Sequence, residues 1–302
     1  MKEKSDLKNI SREEILTRAL KLHSLGERYK ATKYYQYLID KGWYDPRVFS
    51  NYGSILKQEG KIKQSIELYK TSAQLYPTNP KANYNLGTIL KDIGRFKEAE
   101  FYIRKAIQLK PNFAQAYMSY GSLLKGMGKL DEAKTYTLKA IKIKPDLTEA
   151  YNNLGNTLRE IGDLKEAENY TRKAIELKNN FAEAHLNLGN ILRDLGNLTE
   201  SEISLKEAIR IKPSYAKAHN NLGNILKELG KSKEAEICTR KAIELRPKFA
   251  EAHLNLGGIF RDKNELNEAE IWTRKAIELK PDFAEAHLNL GRILRDAGNL
   301  EE

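Results

Sequence analysis

Eight glycines, Gly53, Gly87, Gly121, Gly155, Gly189, Gly223, Gly257 and Gly291, recur every 34 residues along this chain of 302. A fixed period of that length constrains the fold more than any single motif, because it means one small unit copied and stacked. Such a unit cannot bury its own apolar face, so each borrows cover from its neighbours, and the product is an extended array with a long continuous surface. A surface of this kind is suited to binding. The count that matters is therefore of repeats and not of globular domains.

Residues 182–215 show how the unit is built. Apolar side chains spaced three and four apart from Ala184 to Leu195 predict a first helix, Gly196-Asn197 breaks it, and a second pattern runs from about Leu198 to Ile211 until Pro213 stops it. Equivalent breaks fall at Gly60, Gly94, Gly128, Gly162 and Gly230, and equivalent stops at Pro77, Pro111, Pro145, Pro247 and Pro281, with Asn179 and Asn264 as the two replacements. The periodic glycine lies inside the first helix, where it costs about 1 kcal/mol relative to alanine. Close approach of the second helix is the expected return, with Ala99, Ala133, Ala167, Ala235 and Ala269 facing the glycines. Leu86, Leu154, Leu188, Leu222 and Leu256 before the glycines, and Phe113, Phe181, Phe249 and Phe283 after the stops, fill the remaining core.

A leucine-glycine pair, a bulky residue three further on, a small alanine in the second helix and a closing proline together resemble the tetratricopeptide repeat. The resemblance covers residues 12–302 and implies an all-α fold, a right-handed superhelical solenoid of antiparallel helix pairs. The frame divides the chain into an N-terminal tail (1–11), a degenerate capping repeat (12–45), seven repeats (46–283) and an incomplete ninth (284–302). In that ninth unit Leu290, Ile293 and Leu294 are expected to lack their usual cover, so Glu302 reads as a truncation point, with self-association through the uncapped repeat as the other way of covering it.

Charge and composition narrow the partners. The net charge of +11 is concentrated in residues 1–113, which hold 22 Lys and Arg against 12 Asp and Glu, whereas the rest holds 30 against 29. That field suits an acidic ligand or simply solubility. The charged start and the lack of any apolar run of membrane length predict a protein without a membrane segment, and the single Cys238 excludes an internal disulfide; together they suggest a cytoplasmic location.

No phosphate loop, nucleophile set or paired carboxylates can be found, so no catalytic activity, cofactor or metal is expected. His185, His219, His253 and His287 recur with the period, but helices lie roughly 8–10 Å apart while ligands must reach within about 2.1 Å of one zinc, so they read as packing residues. Cys238 falls where other repeats carry Tyr136, Tyr170 and Trp272 and reads as incidental.

Two polar ladders carry the functional expectation. Asn51, Asn85, Asn153, Asn187, Asn221, Asn255 and Asn289 stand two residues before the glycines, interrupted by Ser119, and Asn156, Asn190 and Asn224 stand one residue after. Asparagine is a mediocre helix former, and these positions share one helical face opposite the leucines. An amide both donates and accepts, so a row of them suits the backbone of an extended polypeptide. The row resembles the asparagine ladder in the repeat domain of O-linked N-acetylglucosamine transferases, which implies such a use. The second ladder, four residues after each glycine, is Lys57, Lys91, Lys125, Arg159, Arg193, Lys227, Arg261 and Arg295. Each cation from Arg159 onward is followed by an acid, so the positive end of the groove is expected at the N-terminus.

The chaperone-tail clamp of some tetratricopeptide proteins requires lysine three residues before the glycine; here Ser50, Tyr84, Met118, Asn152, Leu186, Asn220, Leu254 and Leu288 stand there. The main expectation is thus a non-catalytic protein–protein interaction scaffold holding a peptide. The alternative makes the array a substrate-recruiting module of a larger glycosyl- or other group-transferase. RNA binding by the basic third is a minor reading, since Tyr34, Tyr35, Tyr37, Tyr84 and Tyr102 fall at mixed repeat positions.

Overall fold

The computed structural model describes residues 10–298, and among them the chain is all helical, with seventeen helices and no strand. They form helical hairpins that group into two compact units, one ending at Pro145 and one beginning at Asp146. The first unit holds α1 (Arg12–Ser24) with α2 (Arg28–Asp40), α3 (Pro46–Gln58) with α4 (Ile62–Leu75), α5 (Pro80–Asp92) with α6 (Phe96–Leu109), and α7 (Ala114–Gly126) with α8 (Leu130–Ile143). The second holds α9 (Thr148–Ile161) with α10 (Leu164–Leu177), α11 (Ala182–Asp194) with α12 (Leu198–Ile211), α13 (Ala216–Glu228) with α14 (Ser232–Leu245), α15 (Ala250–Asp262) with α16 (Leu266–Leu279), and finally α17 (Ala284–Asp296).

Each hairpin turns where the sequence places its glycine. Gly60, Gly94, Gly128, Gly162, Gly196 and Gly230 all have φ between 75° and 101°, a left-handed conformation that closes the first helix. Asn264, the replacement, takes the same role at φ 62°, as asparagine tolerates better than other side chains. After the turn the backbone doubles back: the Asn197 N–H bonds the Leu192 carbonyl at 2.8 Å, so the next helix starts at once.

The mid-helix glycines mark close helix approach, and the alanines do face them, but the side chain four residues further on lies nearest. A Cβ on Gly87 would meet Ile103 Cγ1 at 2.6 Å, one on Gly189 would meet Leu205 Cγ at 2.7 Å, and one on Gly121, Gly155, Gly223 or Gly257 would collide with the hydroxyl of Thr137, Thr171, Thr239 or Thr273. The alanine four residues earlier offers its backbone carbonyl instead, as Ala167 O does at 3.0 Å from such a carbon on Gly155. Those threonine hydroxyls donate to that same carbonyl, Thr171 to Ala167 at 2.8 Å. The small Ala99, Ala133, Ala167, Ala235 and Ala269, all fully buried, let the helix backbones meet.

The cores run between successive hairpins. In the first unit Ile66, Tyr69, Leu86, Leu90, Ile103 and Leu123 form one cluster, and in the second Leu205, Leu222, Ile225, Leu226 and Ile259 form another. Tyr35 is fully buried, and Tyr84 packs against Phe113 with ring centroids 5.0 Å apart, so these tyrosines serve packing and form no stacking stripe.

The expectation for the ninth repeat needs correction. Ile293 is fully buried and Leu294 is buried against the preceding hairpin, with Ile293 joining Leu256, Phe260 and Ala269. Among the described residues of this repeat Leu290 is half-buried and Leu288 exposed, and Gly291 has nothing within 4 Å of where a Cβ would stand. The preceding unit thus supplies more of the cover than the sequence pattern suggests. The start of the expected second helix, from residue 299, lies outside the described residues.

Candidate functional site

First helices place the ladder asparagines, half-exposed, on the face away from their leucines. There they do more than wait for a ligand. Asn85 Nδ2 donates to Ser50 Oγ at 2.9 Å, Asn187 Nδ2 to Asn152 Oδ1 at 2.8 Å and Asn255 Nδ2 to Asn220 Oδ1 at 2.8 Å. Ser119, standing in the gap of the ladder, donates to the Tyr84 hydroxyl at 3.2 Å. Each bond joins the residue two before one glycine to the residue three before the previous glycine, so each couples neighbouring repeats.

The exceptions follow from the same rule. Where the preceding repeat offers leucine at that place, no acceptor exists and the amide turns elsewhere. Opposite Leu16, Asn51 donates to the Tyr35 hydroxyl at 3.2 Å; opposite Leu186, Asn221 donates to Asn190 Oδ1 at 2.7 Å; opposite Leu254, Asn289 donates to Thr273 Oγ1 at 3.3 Å. The polar residues Ser50, Asn152 and Asn220 thereby acquire a role that the sequence did not announce, because their partners lie 35 residues away.

A spent donor leaves one amide hydrogen and the carbonyl oxygen. The Oδ1 atoms of Asn85, Asn187 and Asn255 accept no hydrogen bond among the described residues, and the side chains of Asn153, Asn156 and Asn224 form none. The bond to the preceding repeat fixes the rotamer of each amide, so the open acceptors are held in place before any ligand arrives. In the second unit the ladder face deepens into a recess of about 420 Å³ lined by Asn220, Asn224, Asn255, Lys227, Leu254 and Phe283 among others.

The basic ladder is also coupled across repeats. Lys57 pairs with Asp92, Arg159 with Asp194 at 2.5 Å, Arg193 with Glu228 at 2.6 Å and Lys227 with Asp262 at 3.4 Å. Sequence adjacency suggests that each cation from Arg159 onward is balanced by its own neighbour; the structure instead gives Arg159, Arg193 and Lys227 the acid of the next repeat, while Arg261 lies 3.5 Å from its own Asp262. Arg261, which has Asn289 within 2.9 Å, and Arg295, beside Asp296, complete the string, and Lys125 is engaged too. In the first unit Asp92 serves two lysines: it also lies 3.7 Å from Lys91, whose ammonium reaches Ser122 Oγ at 3.4 Å. Burial lowers the Lys91 pKa, only partly offset by Asp92.

The periodic histidines have a structural employment. The Nε2 atoms of His185, His219, His253 and His287 lie 2.9–3.0 Å from the carbonyl oxygen of the stop residue six positions earlier, Asn179, Pro213, Pro247 and Pro281. A carbonyl can only accept, so Nε2 carries the proton, and each imidazole ties down the turn between repeats. Asn83 does the same for Pro77 at 3.1 Å. Burial raises the Cys238 thiol pKa, the opposite of what activates a nucleophile. No cluster of three or more metal-ligating side chains occurs, and no helix is long and apolar enough to cross a membrane, among the described residues.

Family models described as TPR repeat match residues 53–94 and 189–230, and models described as tetratricopeptide repeat match 80–113, 114–147, 148–181, 216–249 and 250–283. The chain belongs to the tetratricopeptide repeat family. Comparison with curated proteins finds no match. Among solved structures the tetratricopeptide chain is similar to one described as the APC/C hetero-tetramer Cut9-Hcn1, with TM-score 0.75, 17% identity and 96% of this chain covered; it spans 57% of that chain's length. At that identity the likeness is one of fold, a solenoid of helix pairs. Another, described as YrrB, a TPR protein with an unusual peptide-binding site, is 25% identical, with TM-score 0.48, and covers 62% of this chain and 96% of that one.

Proposed function

We propose that this tetratricopeptide protein, an interaction scaffold by its repeats, holds an extended polypeptide along the ladder faces of its first helices. The observation that carries the reading is the state of the ladder amides: the half-exposed Asn85, Asn187 and Asn255 each spend one donor on the preceding repeat, while their carbonyl oxygens accept no hydrogen bond among the described residues. A half-exposed amide whose carbonyl is open can accept a hydrogen bond from a ligand. Backbone N–H groups of an extended chain supply the missing donors without regard to side-chain identity.

The first unit favours acidic stretches of that polypeptide, because Lys57 and Lys91 share the single carboxylate of Asp92. The test is fluorescence anisotropy with labelled unstructured peptides, neutral and acidic, on the intact chain. Replacing Asn187, Asn221 and Asn255 by alanine is expected to weaken all peptides by about tenfold or more, at about 1 kcal/mol per lost hydrogen bond. Circular dichroism on the same variant establishes that it is folded. Unchanged affinity in a folded variant removes the ladder from the function, and equal affinity for acidic and neutral peptides at low salt removes the charge preference.

A further inference from the structure

A recess of about 870 Å³ opens between α10 and α12, on the second-helix side of the C-terminal unit and away from the ladder. One departure from the repeat pattern enlarges it, since the corresponding recess beside Trp272 is about 650 Å³. Ser204 stands at the position held in other repeats by Tyr102, Tyr136, Tyr170, Cys238 and Trp272, and it lines the recess.

The repeat with Trp272 shows what such a ring does there. Its indole stacks on His253, with centroids 5.6 Å apart and planes inclined by 28°. The guanidinium of Arg240, from the preceding second helix, lies 5.4 Å above it, and the indole N–H donates to Glu268 Oε2 at 3.1 Å. Tyr136 stacks in the same way on Tyr117, with centroids 6.2 Å apart. His185, Arg172 and Glu200 occupy the places of His253, Arg240 and Glu268 exactly two periods earlier in the chain. His185 and Arg172 line the recess, and with no ring between them Arg172 closes onto Glu200 at 2.9 Å.

We propose that this recess binds the aromatic side chain of a partner polypeptide, with a tryptophan indole as the best fit. The ring inserts between His185 and the Arg172 guanidinium, whose charge complements the electron-rich face, and the indole N–H goes to Glu200. Ile203 beside the opening is 63% exposed, and Ile237 and Ile271 continue that apolar line at 69% and 59%, which gives the rest of the partner a surface to lie on. The two described tryptophans are engaged elsewhere, Trp43 against Tyr37 and Trp272 on His253 in its own repeat. The proposal is independent of peptide binding on the ladder.

The test uses N-acetyl-tryptophanamide as probe and the imidazole resonances of His185 as readout on the full chain. A saturable ring-current shift is expected in the wild type. Ser204→Trp and Ser204→Tyr place a ring against His185 as Trp272 stands against His253 and Tyr136 against Tyr117, and both are expected to retain the fold and to lose the shift. Glu200→Gln is expected to weaken the indole by about threefold to tenfold while leaving N-acetyl-phenylalaninamide unchanged, since that ring has no N–H to donate. Absence of a saturable shift in the wild type overturns the proposal. So does equal binding by either filled variant, or by N-acetyl-leucinamide. A shift that grows with protein concentration alone assigns the recess to a second copy and overturns the partner assignment.

Discussion

His23, Tyr35 and Asn51 form a small relay at the N-terminal end. The Tyr35 hydroxyl receives Asn51 Nδ2 at 3.2 Å and lies 3.1 Å from His23 Nδ1, so in the neutral state it donates to that nitrogen. Burial, with a smaller contribution from the charge of Arg28, lowers the His23 pKa below its ordinary 6.5. The unfolded chain therefore binds the proton more readily than the folded one. Stability from this relay is present above pH 6.5 and is lost as the pH falls through 6.5 and on through the lowered folded value. Thermal unfolding from pH 7.5 down to 5.5 is expected to show the wild type losing midpoint temperature relative to His23→Gln. A constant difference between the two across that range would show that the relay is not coupled to folding. The basic ladder position places His23 in line with Lys57 by sequence, yet the relay depends on a tyrosine one hairpin arm away.

At the scale of the helical hairpin, the periodic glycine is legible in the sequence but its neighbour is not. The 34-residue spacing places a small residue in every first helix; which side chain descends on it depends on how the second helix is rotated. That rotation puts Thr171 over Gly155, whereas Gly291, with no second helix described in its repeat, has nothing within 4 Å. Alanine improves helix propensity by about 1 kcal/mol at either site. At Gly155 the new Cβ collides with the Thr171 hydroxyl and comes within 3.0 Å of the Ala167 carbonyl, so overpacking reverses the gain, and Gly155→Ala is expected to destabilise by about 1–3 kcal/mol. Gly291→Ala meets no atom and is expected to stabilise by up to about 1 kcal/mol. Urea unfolding of the two variants decides the matter, and a loss at Gly291 equal to that at Gly155 would contradict the packing described.

Across the whole molecule, stability is a sum over hairpins and the contacts between neighbours, because helices touch within their own hairpin or in the adjacent one. Ladder bonds such as Asn187 to Asn152 and ion pairs such as Arg193 to Glu228 belong to that nearest-neighbour term. Damage should therefore stay local. Gly223→Leu, which forces a large side chain against Thr239, is expected to lower hydrogen-exchange protection in α13 and in the hairpins on either side of it. The amides of α3 to α6 are expected to keep theirs at low denaturant. Uniform loss of protection in both units would mean that the array unfolds as one body.

The amino-acid sequence by itself determined the repeat count, the helix limits, the turn glycines and the division of each first helix into a leucine face and an asparagine face. These follow from local chemistry: glycine's access to positive φ, proline's missing donor, and a period that makes one face apolar. The tertiary structure decided the rest. It gave Asn85, Asn187 and Asn255 their acceptors in the preceding repeat, sent Arg159, Arg193 and Lys227 to the acid of the following one, covered Ile293 from the previous hairpin, and left a recess at Ser204. Each of these is a contact between side chains of neighbouring repeats, set by rotamers and by the stacking of one hairpin on the next, and no local pattern encodes it.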